Sequence, residues 1–225
     1  MTLKKHYIFD LDNTLYHSSS QFFNQQLEKM SEFIQLKLKL PKLEADFLRD
    51  DYYTTYGTTM HGLMANYHID PKEYLSVVDD VSLDRLLPNN KLLNLLRNLK
   101  LEGAHLSIFT NGSDYHADRV MRQLNLDKVI EDVVTLQSTS LVPKPDMRAY
   151  EYIISKFNIN PANATFFEDS SHNLIPAKVL GMETVLINAD DTAQARFVAH
   201  PEIDLLVENV ESYFKGEYLL SSAQR

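Results

Sequence analysis

YIFDLDNTLY, residues 7–16, runs an apolar stretch, Tyr7-Ile8-Phe9, straight into two aspartates set two positions apart, Asp10 and Asp12. If the stretch is a strand, side chains two apart share a face, so both carboxylates leave its end on the same side. Like charges that close repel, and one is pushed towards its protonated form unless a cation lies between them. The pair could equally be an ordinary capping or Asx-turn pair. The residues after the other apolar stretches bear on the choice.

Five short segments, 6–9, 105–109, 129–135, 164–167 and 183–187, are rich in β-branched and aromatic residues and read as buried strands. Helical patterns occupy 89–101, 113–124, 146–157 and 173–180. Strand and helix alternate, which predicts an α/β fold: a Rossmann-like parallel sheet core with helices on both faces. Gly103, Gly112 and Gly181 punctuate the ends of these elements, and Gly181 stands where a helix C-terminus calls for positive φ. Residues 18–87 break the alternation. Phe22, Phe23, Leu27, Met30, Phe33 and Ile34 recur with helical period, and Pro88 marks the return of the chain to the sheet. The expected organisation is an α/β core from 1–17 and 88–225, a helical domain from 18–87 inserted after the first strand, and frayed residues at 218–225.

Composition narrows the function. Lys plus Arg number 22 against 31 Asp plus Glu, a formal net charge of −9, which disfavours a nucleic-acid polymer or an anionic membrane as partner. A small phosphorylated substrate remains compatible, because a single pocket can be positive on an acidic protein. With no cysteine in the chain, disulfides, thiolate metal sites and cysteine nucleophiles are excluded. The apolar run at the start is too short for a signal sequence, and no run reaches the roughly 20 apolar residues of a membrane span. A cytoplasmic protein is expected.

In an open parallel sheet the ligand crevice lies beyond the carboxyl ends of the strands. There the sequence places Asp10 and Asp12, then Thr110-Asn111-Gly112, then Lys144 between two prolines, then Glu168-Asp169-Ser170. Three or four converging carboxylates need a cation, and hard oxygen ligands suit Mg²⁺. A cation would keep Asp10 ionised and able to act as a nucleophile. Thr110-Asn111-Gly112 hands a strand to a helix, where unpaired N–H groups and the helix dipole favour an anion, although an isolated T-N-G is also a common N-cap turn. Lys144 sits between residues of fixed φ, so its loop aims one ammonium at one place.

Together, Asp10-Leu-Asp12-Asn-Thr14, Thr110-Asn111, Lys144-Pro145 and Glu168-Asp169 resemble the four ordered motifs of the haloacid dehalogenase-like hydrolase superfamily. The resemblance implies that Asp10 attacks phosphorus and Asp12 serves as acid and base. It assigns Thr110, with Asn111, and Lys144 to the phosphate. Mg²⁺ would be bound by Asp10, Asp12 through its backbone carbonyl, and Asp169, with Glu168 as a further candidate ligand. An acid at position 12 points to phosphatases rather than dehalogenases, and the helical insertion resembles a phosphatase cap. FDLDNTLY, the cap stretch YYTTYGTTMHGL at 52–63, FTN at 109–111 and FEDS at 167–170 resemble pyrimidine 5′-nucleotidases that hydrolyse UMP and CMP. A phosphatase of another small metabolite, such as a sugar phosphate, a phosphosugar mutase and a non-catalytic phospho-ligand binder are the alternatives. Two departures stand out. Glu168 replaces the more usual Asp, and Asn173 stands where many phosphatases carry a second acid, which would loosen the support of Lys144 or of a metal-bound water. In the cap, Tyr52, Tyr56 and Met60, or Tyr53, Tyr56 and Met60, fall on one helical stripe, and Tyr56 and His61 are the candidates for substrate specificity.

Overall fold

The computed structural model describes residues 5–188, 190 and 192–222. The chain divides into two compact units, Met1–Ser19 with Leu86–Arg225, and Ser20–Arg85.

The first unit is built on a sheet of seven strands: β1 (His6–Phe9), β2 (His105–Phe109), β3 (Asp132–Val134), β4 (Ala164–Glu168), β5 (Glu183–Ile187), β6 (Leu205–Val207) and β7 (Leu220–Ser221). Their order is β3-β2-β1-β4-β5-β6-β7, with every pair parallel except the antiparallel β6–β7. Residues 6–9 are all buried, as are 106–109 and 164–168. Strands buried on both faces in this way belong to parallel sheets covered by helices. Phe9 pairs with Ile108 on one side and Phe167 on the other, so Asp10 leaves β1 level with Phe109 and Glu168. This register carries the loops after β1, β2 and β4 to one edge of the sheet, with β1 at the point where the strand order reverses.

The helices of this unit carry their own start and stop signals. In the helix Asn90–Leu101, Leu92, Leu93, Leu96 and Leu99 are buried at helical spacing, and the Asn89 side chain caps it by accepting from the N–H groups of Lys91 and Leu92. Ser113 caps Asp114–Gln123, and Asp146 caps Met147–Phe157. Gly181, following the helix Ser171–Val179, takes φ +94°.

Three expectations need correction. The third strand is three residues long, because Val129 and Ile130 are buried in a turn after a short 3₁₀ helix at Leu126–Lys128 and make no ladder. The C-terminal stretch is not wholly frayed: Leu220 and Ser221 pair with β6, and 223–225 lie outside the described residues. The tyrosine stripe is interrupted, since Gly57 adopts φ +79° and Thr58 caps a new helix.

The second unit is all helical: Phe22–Leu38, Lys42–Tyr56, Thr59–Tyr67 and Pro71–Val78. Phe22, Phe33, Ile34, Met60, Leu63 and Tyr74 are buried, with Phe33 and Tyr74 edge-to-face at 5.2 Å. Arg49 ties the first two helices by donating to Ser31 Oγ at 2.8 Å and to the Leu27 carbonyl at 3.3 Å. The helix Thr59–Tyr67 packs closely on Tyr52. A Cβ at Gly62 would lie 2.2 Å from Tyr52 Cγ and 2.5 Å from its Cβ, too near the ring root for a rotamer change to relieve. Gly62→Ala is therefore expected to destabilise this unit by about 1–3 kcal/mol despite alanine's higher helix propensity. Urea unfolding of the variant checks this; an unchanged midpoint contradicts it.

Candidate active site

Asp10 is buried at the end of β1, where its N–H donates to the Phe167 carbonyl at 2.9 Å. Its Oδ1 accepts from Lys144 Nζ at 2.7 Å. Lys144 also donates to Glu168 Oε2 at 2.7 Å and to the Phe109 carbonyl at 2.8 Å, and its side chain is 0% exposed. An ammonium has three donors, and all three are engaged. Lys144 thus fixes the nucleophile candidate and a second acid with respect to each other. Asn111 supports the lysine through its backbone: the carboxamide donates to the Lys144 carbonyl at 3.0 Å and accepts from the Lys144 N–H at 2.8 Å. The side chain of Asn111 thus fastens the lysine loop with one donated and one accepted bond. Asn173 takes no part in holding the ammonium, and its backbone carbonyl accepts from Tyr150 OH at 2.5 Å.

Asp10, Glu168 and Asp169 each offer a carboxylate oxygen within 4.8 Å of the others. Burial raises the pKa of all three: Asp10 to about 8, with Glu168 adding to the shift and Lys144 opposing it; Glu168 to about 7, again against Lys144; Asp169 to about 6, with Asp10 contributing. One ammonium serves three clustered acids, of which Asp10 and Glu168 are buried and Asp169 is half-buried. Burial disfavours charge on Lys144 as well, but Asp10 and Glu168 outweigh this and hold its pKa above the ordinary value. A site with surplus negative charge and only oxygen donors fits a hard divalent cation. Glu168 already accepts through both oxygens, from Lys144 and from the Ser170 N–H at 3.2 Å, whereas Asp169 takes a long 3.3 Å bond from Asn13. Asn13 reaches it from a left-handed turn at φ +58°.

Asp12 turns its carboxylate elsewhere. It faces His116, whose Nε2 is 2.8 Å from Oδ1 and 3.0 Å from Oδ2, and Tyr16, whose hydroxyl donates to Oδ1 at 2.7 Å. Burial opposes ionisation of Asp12, but the His116 charge and the bonds from His116 and Tyr16 prevail and lower its pKa. Sequence reasoning passed over both partners. His116 is the third residue of its helix after the Ser113 cap, a first-turn position beside the T-N-G loop, and that placement was the available signal.

Thr110 is buried just beyond the end of β2, and its Oγ1 accepts from the Gly112 N–H at 2.9 Å. Tyr56 and His61 belong to the helical unit. Tyr56 is 37% exposed, packs on Tyr52 at 5.4 Å and accepts from Asn66 at 3.0 Å, while His61 Nδ1 lies 2.6 Å from Thr58 Oγ1. Among the described residues no helix is long and apolar enough to cross a membrane.

The raised acids make stability pH-dependent. Below about pH 4 both folded and unfolded chains hold these protons; as pH rises the unfolded acids ionise first, so stability is lost up to about pH 8, where Asp10 ionises in the fold. A divalent cation should therefore raise Tm more near neutral pH than near pH 4. Thermal melts with and without cation test this, and an equal gain at both ends would contradict a carboxylate-bound ion.

The chain matches the model of the haloacid dehalogenase-like hydrolases over residues 7–187. It is 31% identical over 202 residues to phosphate metabolism protein 8 of Saccharomyces cerevisiae, covering 84% of this chain and 63% of that protein. It thus spans less than two thirds of that relative's length. With the glyceraldehyde 3-phosphate phosphatase of Methanocaldococcus jannaschii it shares 25% identity over 192 residues, 80% of this chain and 83% of the other. The crystal structure of a phosphatase of the same family from Thermococcus onnurineus superposes with a TM-score of 0.60 at 19% identity, over 94% and 96% of the two chains. With its parallel sheet, strand order and converging loops, the chain belongs to the haloacid dehalogenase-like hydrolase family.

Proposed function

We propose that this protein is a Mg²⁺-dependent phosphomonoesterase that works through an aspartyl-phosphate on Asp10, with a pyrimidine nucleoside 5′-monophosphate as substrate. The observation that carries the reading is the division between two neighbouring aspartates. Asp10 is locked to Lys144 among the clustered acids, and Asp12 is turned away from them to His116 and Tyr16.

In the first half-reaction a carboxylate oxygen of Asp10 attacks phosphorus and the ester P–O bond breaks. The departing alkoxide takes a proton from Asp12, which must enter this half-reaction as the carboxylic acid. In the second, Asp12 as carboxylate removes a proton from water, the oxygen attacks phosphorus, and phosphate leaves Asp10 as it was. One group serves as acid and then as base because the first transfer creates the base that the second requires. Lys144 holds Asp10 in line throughout, which is a positioning role, and Thr110 with the N–H groups beside it offers donors to the phosphoryl oxygens. Asp10 and Asp169 would hold Mg²⁺, joined by the Asp12 backbone carbonyl, with Glu168 bound mainly to Lys144. When bound, the ion supplies positive charge against the phosphoryl oxygens and the clustered carboxylates.

The phosphatase among the named relatives, and the yeast relative's place in phosphate metabolism, support the reaction class. The nucleotide assignment rests on the likeness of residues 9–16, 52–63, 109–111 and 167–170 to pyrimidine nucleotidases, with Tyr56 and His61 as the base-recognising pair.

A screen of mononucleotides and sugar phosphates, with Mg²⁺ and with EDTA, tests class and substrate together. UMP and CMP are expected to release phosphate fastest, and only with the metal. Asp10→Asn should lower turnover by at least about 1,000-fold with an unchanged circular dichroism spectrum; activity near wild type would move the nucleophile elsewhere. Tyr56→Ala and His61→Ala should raise KM for UMP several-fold, and unchanged constants in both would remove the cap pair from recognition.

A further inference from the structure

The Asp12 carboxylate is gripped unevenly. Oδ1 receives the Tyr16 hydroxyl at 2.7 Å and is the nearer oxygen to His116 Nε2 at 2.8 Å; Oδ2 has the longer 3.0 Å approach of the same nitrogen. A carboxylate on two single bonds rotates freely unless both χ angles are restrained. Here two directions of restraint meet at Oδ1. Both restraining side chains are themselves fixed: Tyr16 is 8% exposed and His116 2% exposed. The His116 backbone N–H is bonded to the Ser113 cap at 3.0 Å, which sets the first turn from which the imidazole projects. Gly112 leaves the space that the ring occupies, because a Cβ there would meet His116 Cδ2 at 2.9 Å and Thr110 Oγ1 at 3.2 Å.

We propose that His116 and Tyr16 are positioning residues for the acid–base group: they hold Oδ1 of Asp12 so that Oδ2 faces the leaving oxygen in the first half-reaction and water in the second. The inference rests on the phosphomonoesterase reading above. It adds that Asp12 keeps one orientation through both halves, and that a histidine from a helix far away in sequence sets it. A misoriented Asp12 still leaves Asp10 able to attack, so the loss falls on the steps that move a proton.

That difference defines the experiment. Wild type, His116→Gln, His116→Ala and Tyr16→Phe are assayed with Mg²⁺ on glycerol 2-phosphate, whose alkoxide needs a proton to leave, and on p-nitrophenyl phosphate, whose phenolate does not. In the variants, kcat for glycerol 2-phosphate should fall about 100-fold with KM little changed. With p-nitrophenyl phosphate they should release one equivalent of phenolate per site in a rapid burst, then turn over slowly, and the phosphorylated protein should accumulate in intact mass spectra. Gly112→Ala, which crowds the imidazole, should shift both readouts in the same direction. Equal losses on the two substrates without a burst, or kcat values that follow only the loss of folded protein in thermal melts, would overturn the proposal. If His116→Ala fails to fold, Tyr16→Phe decides alone, since it removes one hydroxyl and keeps the ring. Should wild type turn over neither ester, the phosphomonoesterase reading fails and the proposal falls with it; a working wild type with unaltered variants sinks the proposal alone.

Discussion

A lysine ammonium with no exposed surface sits between two carboxylates and a carbonyl, and the rest of the site depends on that arrangement. Burying a charge costs several kcal/mol unless partners replace the lost water. The partners of Lys144 come from the ends of three adjacent strands: Asp10 from β1, Phe109 from β2 and Glu168 from β4. They meet only if the register is right, because a one-residue slip would send Asp10 to the opposite face. Asn111 then fastens the lysine's own loop through two backbone bonds. The ion cluster thus couples correct sheet assembly to the placement of the Asp10 carboxylate.

The same cluster explains how Asp10 and Asp12 tolerate each other. Asp10 lies with buried Glu168, half-buried Asp169 and one lysine, where its proton affinity is high until more positive charge arrives. Asp12 is surrounded by donors and ionises readily. Two identical side chains two residues apart therefore differ in proton affinity by environment alone, and a cation beside Asp10 would lower its affinity so that it can act as the carboxylate. Repulsion between them is limited because the Asp12 charge is shared with His116 and Tyr16.

Much of this was legible in the sequence, and the limits have physical causes. Strands β1, β2, β4 and β5 declare themselves because both faces are covered and each carries a short cluster of β-branched, aromatic and aliphatic residues. β6 and β7 are only three and two residues long, too short for any period to show, and β3 is an edge strand whose apolar neighbours are buried without pairing. Asp10, Glu168 and Asp169 could be grouped because each follows a strand, and Lys144 because its proline-flanked loop follows another. Asn111 belonged to the same edge, yet its attachment to the lysine backbone depends on loop geometry that no spacing encodes. Asn173 reads as a weakness in the fourth motif only if Lys144 needs support from that position. Glu168, one methylene longer than aspartate, reaches the ammonium directly at 2.7 Å.

Gly112 shows how a residue can be noticed for one reason and required for another. In sequence it reads as punctuation between a strand and a helix. In the fold its φ is not left-handed, so flexibility is not what glycine contributes there. Its contribution is clearance: the missing Cβ admits the His116 ring on one side and the Thr110 hydroxyl on the other, while its N–H bonds to that hydroxyl. The donor loop and the holder of Asp12 are consequently packed against one atom-sized gap. Position 112 therefore constrains two functions at once, since any side chain that pushed Thr110 aside would also turn the imidazole that orients Asp12.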